Sequence, residues 1–317
     1  MPSFPDDNPG QGFGGPRYPG TFLLALREAL AKLNWQATAW KGSSVDCLDA
    51  TGQTQQIGLE NMYRRLRQEP RDTWPDLLAE LLGSVPPEVA TPPGDLSEVA
   101  DRLLVRLGPP FTRRDANVDV WSIPLVEDEL VALLVIDYPT SMSYVTEKMI
   151  ADSQQSGEYW YELALTNLRS KTDENCISEV HEESGLLHAQ AGDAYDSSRA
   201  LLIDHLVPGH ADNGFFVVVP GRDHLFFVPI TEKTLMLAPW MHNIAGKMHR
   251  ELPYPISPQL FWVRGGIWHP FVIEREGEDL LVKPPAEFAE VMARLNITEI
   301  NEEEDQPPPD DGSGMSI

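Results

Sequence analysis

Apolar residues run almost unbroken over 118–126 and again over 130–136, and Glu127, Asp128 and Glu129 stand between the two runs. That pattern predicts a β-hairpin with an acidic turn. The second run, LVALLVI, is apolar at every position. A strand of this kind has no face suited to water, so it belongs between two layers. Pro139 ends it. Tyr161, Ala164, Leu165 and Leu168 then recur at helical spacing, which predicts an amphipathic helix over 158–170 lying back on the hairpin.

The same rhythm returns downstream. Runs at 177–183 and 186–190 flank Ser184-Gly185, and Asp193 caps a predicted helix that reaches about Leu206 before Pro208-Gly209. Runs at 215–219 and 225–228 join through Pro220, Gly221, Arg222 and Asp223, and both are apolar on both faces, which makes this hairpin interior. A helix over 239–250 presents Met241, Ile244, Ala245 and Met248 to the core. The last hairpin pairs 259–263 with 267–274 through Gly265-Gly266, and a helix over 285–295 follows.

Upstream, Leu23, Leu26, Leu30 and Leu33 mark a helix over 21–33. Short β runs at 35–40 and 55–59 lie either side of a turn at 49–52, and helices are expected over 60–68 and from Trp74-Pro75 onward. A helix over 96–107 is expected to end at Gly108-Pro109-Pro110. Hairpins each followed by a helix imply the α+β class: an antiparallel or mixed sheet with helices packed on it, preceded by a small α/β unit.

Composition divides the chain further. Residues 1–20 are rich in Gly and Pro, and 301–317 are acidic and proline-rich, so both are expected to be disordered tails. Between them lie the N-terminal unit (21–83), a proline-rich linker (84–94) and the main domain (95–300). The formal net charge of -25 repels phosphate backbones and anionic lipid, which argues against nucleic acid and membrane as partners. Cys47 and Cys176 form neither a disulfide framework nor a zinc motif. With no leader-like or spanning run, a cytoplasmic protein is expected.

Several blocks carry a family likeness: ALTNLRS (164–170), GDAYDSSRALL (192–202), VVVPGRDHLFF (217–227) and YPISPQLFWV (254–263). ALLVIDYPTSMSYVT (132–146) and LENMYRRLRQEP (59–70) are looser matches. Through these the chain resembles the YtpQ-like family of bacterial proteins, built around a domain of unknown function, from about residue 21 to 274. The resemblance implies a cytoplasmic bacterial protein and supplies no activity.

Candidate chemistry gathers at two places. Asp196, Ser198 and Arg199, with Arg222 and Asp223 in the tight turn, can converge at one end of a sheet, where an Arg fork suits a carboxylate or phosphate. Asn167 can join them. Against this, Asp196 also suits a helix first turn, Arg222-Asp223 suits an ordinary turn, and Asn167 suits a solvated helix surface. In the second place, a two-residue turn at Ser184-Gly185 sets His181 opposite His188, near Glu179 and Glu183, as weak metal-ligand candidates. A one-residue slip destroys that pairing, and a polar strand face is the simpler reading. His242 and His249 share a helix face without a further ligand. No nucleophile elbow, HExxH, phosphate loop or dinucleotide fingerprint occurs, and no cofactor is expected. The expectation is a non-catalytic module that binds a protein or a small ligand. The alternative is an enzyme or sensor acting on a small anion through Arg199, Arg222 and Asp223.

Overall fold

A computed structural model describes residues 18–40, 44–83, 93, 95–110, 119–138, 142–180, 184–209, 212–276 and 279–295. Residues 1–17 and 301–317 of the expected tails, most of the linker, and His181 lie outside them. Tyr18, at the end of the expected N-terminal tail, packs against the core of the N-terminal unit, and Gly20 opens a helix.

The N-terminal unit builds its own core. α1 (Gly20–Lys32) buries Phe22, Leu26 and Leu30 on one stripe. Three antiparallel strands follow, β1 (Gln36–Trp40), β2 (Ser44–Leu48) and β3 (Thr54–Gly58), in the order β1-β2-β3. Only two were expected here. β2 escapes notice because its inward set is just Val45 and Cys47, set among polar neighbours. α2 (Leu59–Leu66) and α3 (Trp74–Gly83) close the unit, and Leu59, Leu66, Trp74, Leu78 and Leu82 complete a core shared with α1.

The helix expected over 96–107 is not formed. A 3-10 helix spans Leu96–Arg102, with the Asp95 side chain accepting the Ser97 N–H at 2.7 Å, and β4 (Leu103–Gly108) follows. Leu103, Leu104, Val105 and Leu107 are apolar on both faces of the chain, and only a strand gives each face its own core. β5 (Ser122–Val126) and β6 (Leu130–Asp137) form the expected hairpin, turning through Asp128 at φ 57°. β4 pairs along one side of β6, while β5 and then β7 (Met142–Tyr144) pair along the other. Thr146 caps α4 (Glu147–Asp152), and Ser156 caps α5 (Gly157–Ser170), which lies along β4.

A second antiparallel sheet has the order β13-β12-β10-β11-β9-β8. Its strands are β8 (Ile177–Glu179), β9 (Leu187–Ala189), β10 (Phe215–Gly221), β11 (His224–Pro229), β12 (Leu260–Arg264) and β13 (Ile267–Pro270). In place of a continuous helix from Asp193, the chain makes a loop, a 3-10 helix over Ser197–Leu202 and the single turn of α6 (Ile203–Leu206). The cause is a polar cluster around the fully buried Arg199, in which the exposed Asp193 and the buried Asp196 serve its guanidinium and the loop backbone. α7 (Ala238–Glu251) buries Met241, Ala245 and Met248, much as its spacing predicts. The strand expected over 267–274 breaks at Phe271, which packs edge-on against Phe216 and Phe288. A separate ribbon of β14 (Val272–Glu276) and β15 (Asp279–Lys283) follows, then a 3-10 turn and α8 (Ala289–Arg294).

Strand alternation assigns the layers. Val105, Leu107, Leu130, Ala132 and Leu134 share one core with Val217, Val219, Leu225 and Phe227, so the two sheets pack on each other. Phe216, Val218, Val228 and Trp262 point the other way and are covered by α7 and α8. Leu104 and Val135, on the outer face of the smaller sheet, are covered by Leu168, Tyr195 and Leu202. The protein is therefore of the α+β class. No helix among the described residues is long and apolar enough to cross a membrane.

The Trp121 indole lies directly over Gly157, where a Cβ would overlap the ring. Gly157→Ala is expected to cost about 1–3 kcal/mol in urea unfolding, because its Cβ would lie 2.3 Å from the nearly buried indole and force the ring to shift. Gly58→Ala meets nothing within 4 Å and should stay within about 0.5 kcal/mol of the parent.

Candidate functional site

The seam between the two sheets collects most of the polar residues singled out above. Asn167, on α5, donates its side-chain N–H groups to Ala100 O at 2.8 Å and Leu103 O at 2.9 Å, fastening the start of β4. Ser198 Oγ accepts the Leu107 N–H at 3.0 Å and so closes the free edge of β4. The Ser197 N–H donates to Arg222 O at 3.1 Å, which brings the β10–β11 turn against the same 3-10 helix. Asp196, Ser198, Arg199, Arg222 and Asp223 thus meet in one region. Asn167 stands apart at the other end of β4.

Arg199 is fully buried and belongs to the frame. Its Nη1 and Nη2 donate to Asp193 Oδ1 at 2.8 Å and Oδ2 at 2.7 Å, a bidentate pair, and Asp196 Oδ1 lies at 3.5 Å. Burial alone raises the Asp193 carboxyl, but the Arg199 hydrogen bonds and charge outweigh it and hold the group below its ordinary range. Asp196 accepts the N–H groups of Ala191 at 2.5 Å and Gly192 at 3.2 Å. Its burial dominates, and its pKa is raised. With no face open to solvent, Arg199 cannot receive a ligand in this arrangement.

Arg222 is partly open. It grips Asp223 through Nε at 2.7 Å and Nη2 at 2.9 Å, and its guanidinium carbon lies 3.9 Å from the centre of the Tyr254 ring. Beside it stands a residue that sequence reasoning missed. Arg106, on β4, shares the outer sheet face with Leu104 and reaches across β6 to Met142, its Nη1 donating to Sδ at 2.9 Å. That thioether is its sole hydrogen-bond partner among the described residues. Burial lowers the pKa of Arg106; Tyr144 acts upward, the like charge of Arg222 downward, and Tyr195 and Asp223 upward again. Tyr195 donates its hydroxyl to Asp137 Oδ1 at 2.9 Å, and Lys171 Nζ reaches Asp137 Oδ2 at 3.1 Å. One signal was available for Arg106: it is the single charge inside the apolar run LLVRL. A helix over 96–107 gives that charge no special place, since a helix of this kind has a solvated side.

The histidine pairing is corrected. The β8–β9 register sets Ser178, not His181, opposite His188, because the connection begins at Val180 and Leu186 and is longer than two residues. His188 instead stacks on Phe226 of β11, centroids 4.4 Å apart, with His224 at 5.8 Å. No group of His, Cys, Asp and Glu suited to a metal occurs among the described residues.

Two predictions follow from these geometries. Replacing Arg199 with Ala strips the buried Asp196 and the exposed Asp193 of their cation and empties a fully buried side-chain volume, and should cost roughly 3–5 kcal/mol in urea unfolding. His188 is pushed down from 6.5 to about 4, by burial first and by His224 second. The unfolded chain therefore takes up this proton before the folded one does. Stability should fall as pH drops from about 6.5 to about 4, by at most about 3 kcal/mol from this group. His188→Phe should flatten that part of the pH profile; an unchanged slope would exclude His188 as its source.

In comparisons with protein-family models, curated proteins and solved structures, the chain matches none of them.

Proposed function

We propose that the protein is a non-catalytic module of the bacterial cytosol that binds a small oxyanion at the seam, with Arg106 as its anchor and Arg222 beside it. Arg106 carries this reading. Arg199 and Arg222 each hold a carboxylate bidentately, whereas the mostly buried Arg106 has, among the described residues, only the Met142 sulfur as a hydrogen-bond partner, a weak acceptor. Withholding a guanidinium from water without an anion costs several kcal/mol, and a carboxylate or phosphate group entering the seam offsets that cost. The planar fork has donors to spare, so it can bind two oxygens at once.

The neighbouring groups support binding rather than turnover. Tyr195 has its proton directed at Asp137 and its pKa raised by burial first and by that carboxylate second, and Asp223 is engaged by Arg222. Neither is free to act as a general base. The resemblance to YtpQ-like proteins adds no activity to this reading and agrees with a cytosolic location.

Calorimetric titration with inorganic phosphate and with malonate, on the full chain at low salt, tests it. At least one should bind with Kd of about 1 mM or tighter, and Arg106→Gln should weaken it at least about tenfold, or ~1.4 kcal/mol. Without ligand, Arg106→Gln should melt at or above the parent temperature, because it removes a mostly buried charge that no carboxylate contacts among the described residues. Binding of neither anion, or undiminished binding by Arg106→Gln, would sink the proposal.

A further inference from the structure

Three side chains of the N-terminal unit reach into the main sheet domain at one point, the C-terminal end of α7. Arg64 Nη1 donates to His249 O at 3.0 Å and Leu252 O at 3.2 Å, and Arg67 Nη2 donates to Glu251 O at 2.8 Å. Carbonyls at a helix C-terminus lack intrahelical partners and carry the negative end of the helix dipole. The N-terminal unit therefore caps α7 from outside.

Two residues further on, Asn61 Oδ1 accepts the Tyr254 N–H at 3.2 Å. Tyr254 has φ 55°, a left-handed conformation that a bulky side chain keeps only when its surroundings hold it there. From that position its carbonyl accepts the Arg222 N–H at 3.0 Å, and its ring lies beneath the Arg222 guanidinium. The contact continues where Pro255 bridges to Gly221. A short chain of direct contacts thus runs from Asn61 through Tyr254 to Arg222, whose carbonyl takes the Ser197 N–H while the adjacent Ser198 hydroxyl takes the N–H of Leu107, the residue after Arg106.

We propose that the N-terminal unit positions the oxyanion site: Asn61, with Arg64 and Arg67, holds Tyr254 left-handed, and Tyr254 sets Arg222 beside Arg106. This rests on the oxyanion reading of Arg106. Tyr254 and Asn61 are positioning residues, acting on the anion only through Arg222. Because coupling between sites is reciprocal, an anion in the seam also strengthens the hold of the N-terminal unit on α7.

Paired variants of the full chain test this with inorganic phosphate and malonate as probes. Asn61→Ala removes the acceptor and should weaken binding about three- to tenfold, whereas Asn61→Asp keeps an acceptor and should stay within about twofold. Tyr254→Leu should lose affinity by a similar factor, and Tyr254→Phe, which retains the ring beneath Arg222, should recover it. A ligand-free readout accompanies these: amide hydrogen exchange at Arg222 and Tyr254 should quicken in Asn61→Ala while β6 stays protected. Parental affinity in both Asn61→Ala and Tyr254→Leu, or unchanged exchange at Arg222, overturns the positioning role and leaves the oxyanion reading intact. If the parent binds neither probe, the oxyanion reading itself falls, and this assignment falls with it.

Discussion

Burial of β6 and β10 on both faces is the constraint from which the rest of the architecture follows. Residues 130–136 and 215–219 are almost wholly withdrawn from water, and successive side chains of a strand point to opposite sides. Each strand therefore needs an apolar layer above and below. The two sheets supply one layer to each other, α7 and α8 cover the far side of the larger sheet, and the segment around Tyr195 and Leu202 covers the far side of the smaller. No two-layer arrangement satisfies both strands. Helices and turns that are individually short are held because they close these faces.

A sheet covered on both sides shows polar groups only at its edges and turns, and this is where the seam lies. The unpaired edge of β4 gives its Leu107 N–H to Ser198, the β10–β11 turn gives a carbonyl to Ser197, and Arg199 is neutralised within its own loop. Such groups follow the rule that buried polar atoms find partners. Arg106 departs from it. A cation placed on an apolar sheet face beside a second cation, with a thioether for company, has no structural rationale among the described residues. Local rules broken without a compensating contact mark the places where function is to be sought.

Much of the fold was legible because it is written in long, unambiguous runs. LVALLVI and the FFVVV of β10 can only be interior strands, and α5 and α7 follow from their spacing. Legibility failed where runs are short or doubly apolar. Residues 103–107 read equally well as the end of a helix, and what decides for a strand is the neighbouring β6, which periodicity cannot see. That single misreading also hid Arg106. The His181–His188 pairing failed for a related reason, since register depends on loop length and the Ser184-Gly185 turn was assumed to be minimal. Arg199, Arg222, Asp196 and Asp223 lie in one region, as their types and spacing suggested they could, but that Arg199 is fully buried and Arg222 partly open rests on burial, which composition does not record. Tyr254 gave no signal, because a left-handed tyrosine is imposed by its neighbours.

A net charge of -25 bears on what kind of recognition the seam can perform. At long range the field of the whole chain repels any anion, and steering contributes nothing to capture. Attraction to the proposed site begins only inside about one Debye length, some 8 Å at physiological salt, where contact with the Arg106 guanidinium is no longer screened. There the withdrawal of Arg106 from water works in its favour, since a charge with low-dielectric surroundings interacts more strongly with a partner in contact. The acidic surface and the buried cation together favour a ligand whose negative charge is compact and can be enclosed, and disfavour extended polyanions that must lie along the surface. On the proposed reading the selectivity is one of geometry: a compact oxyanion matches the planar fork of one guanidinium, and an extended polyanion meets the repulsion of the acidic surface.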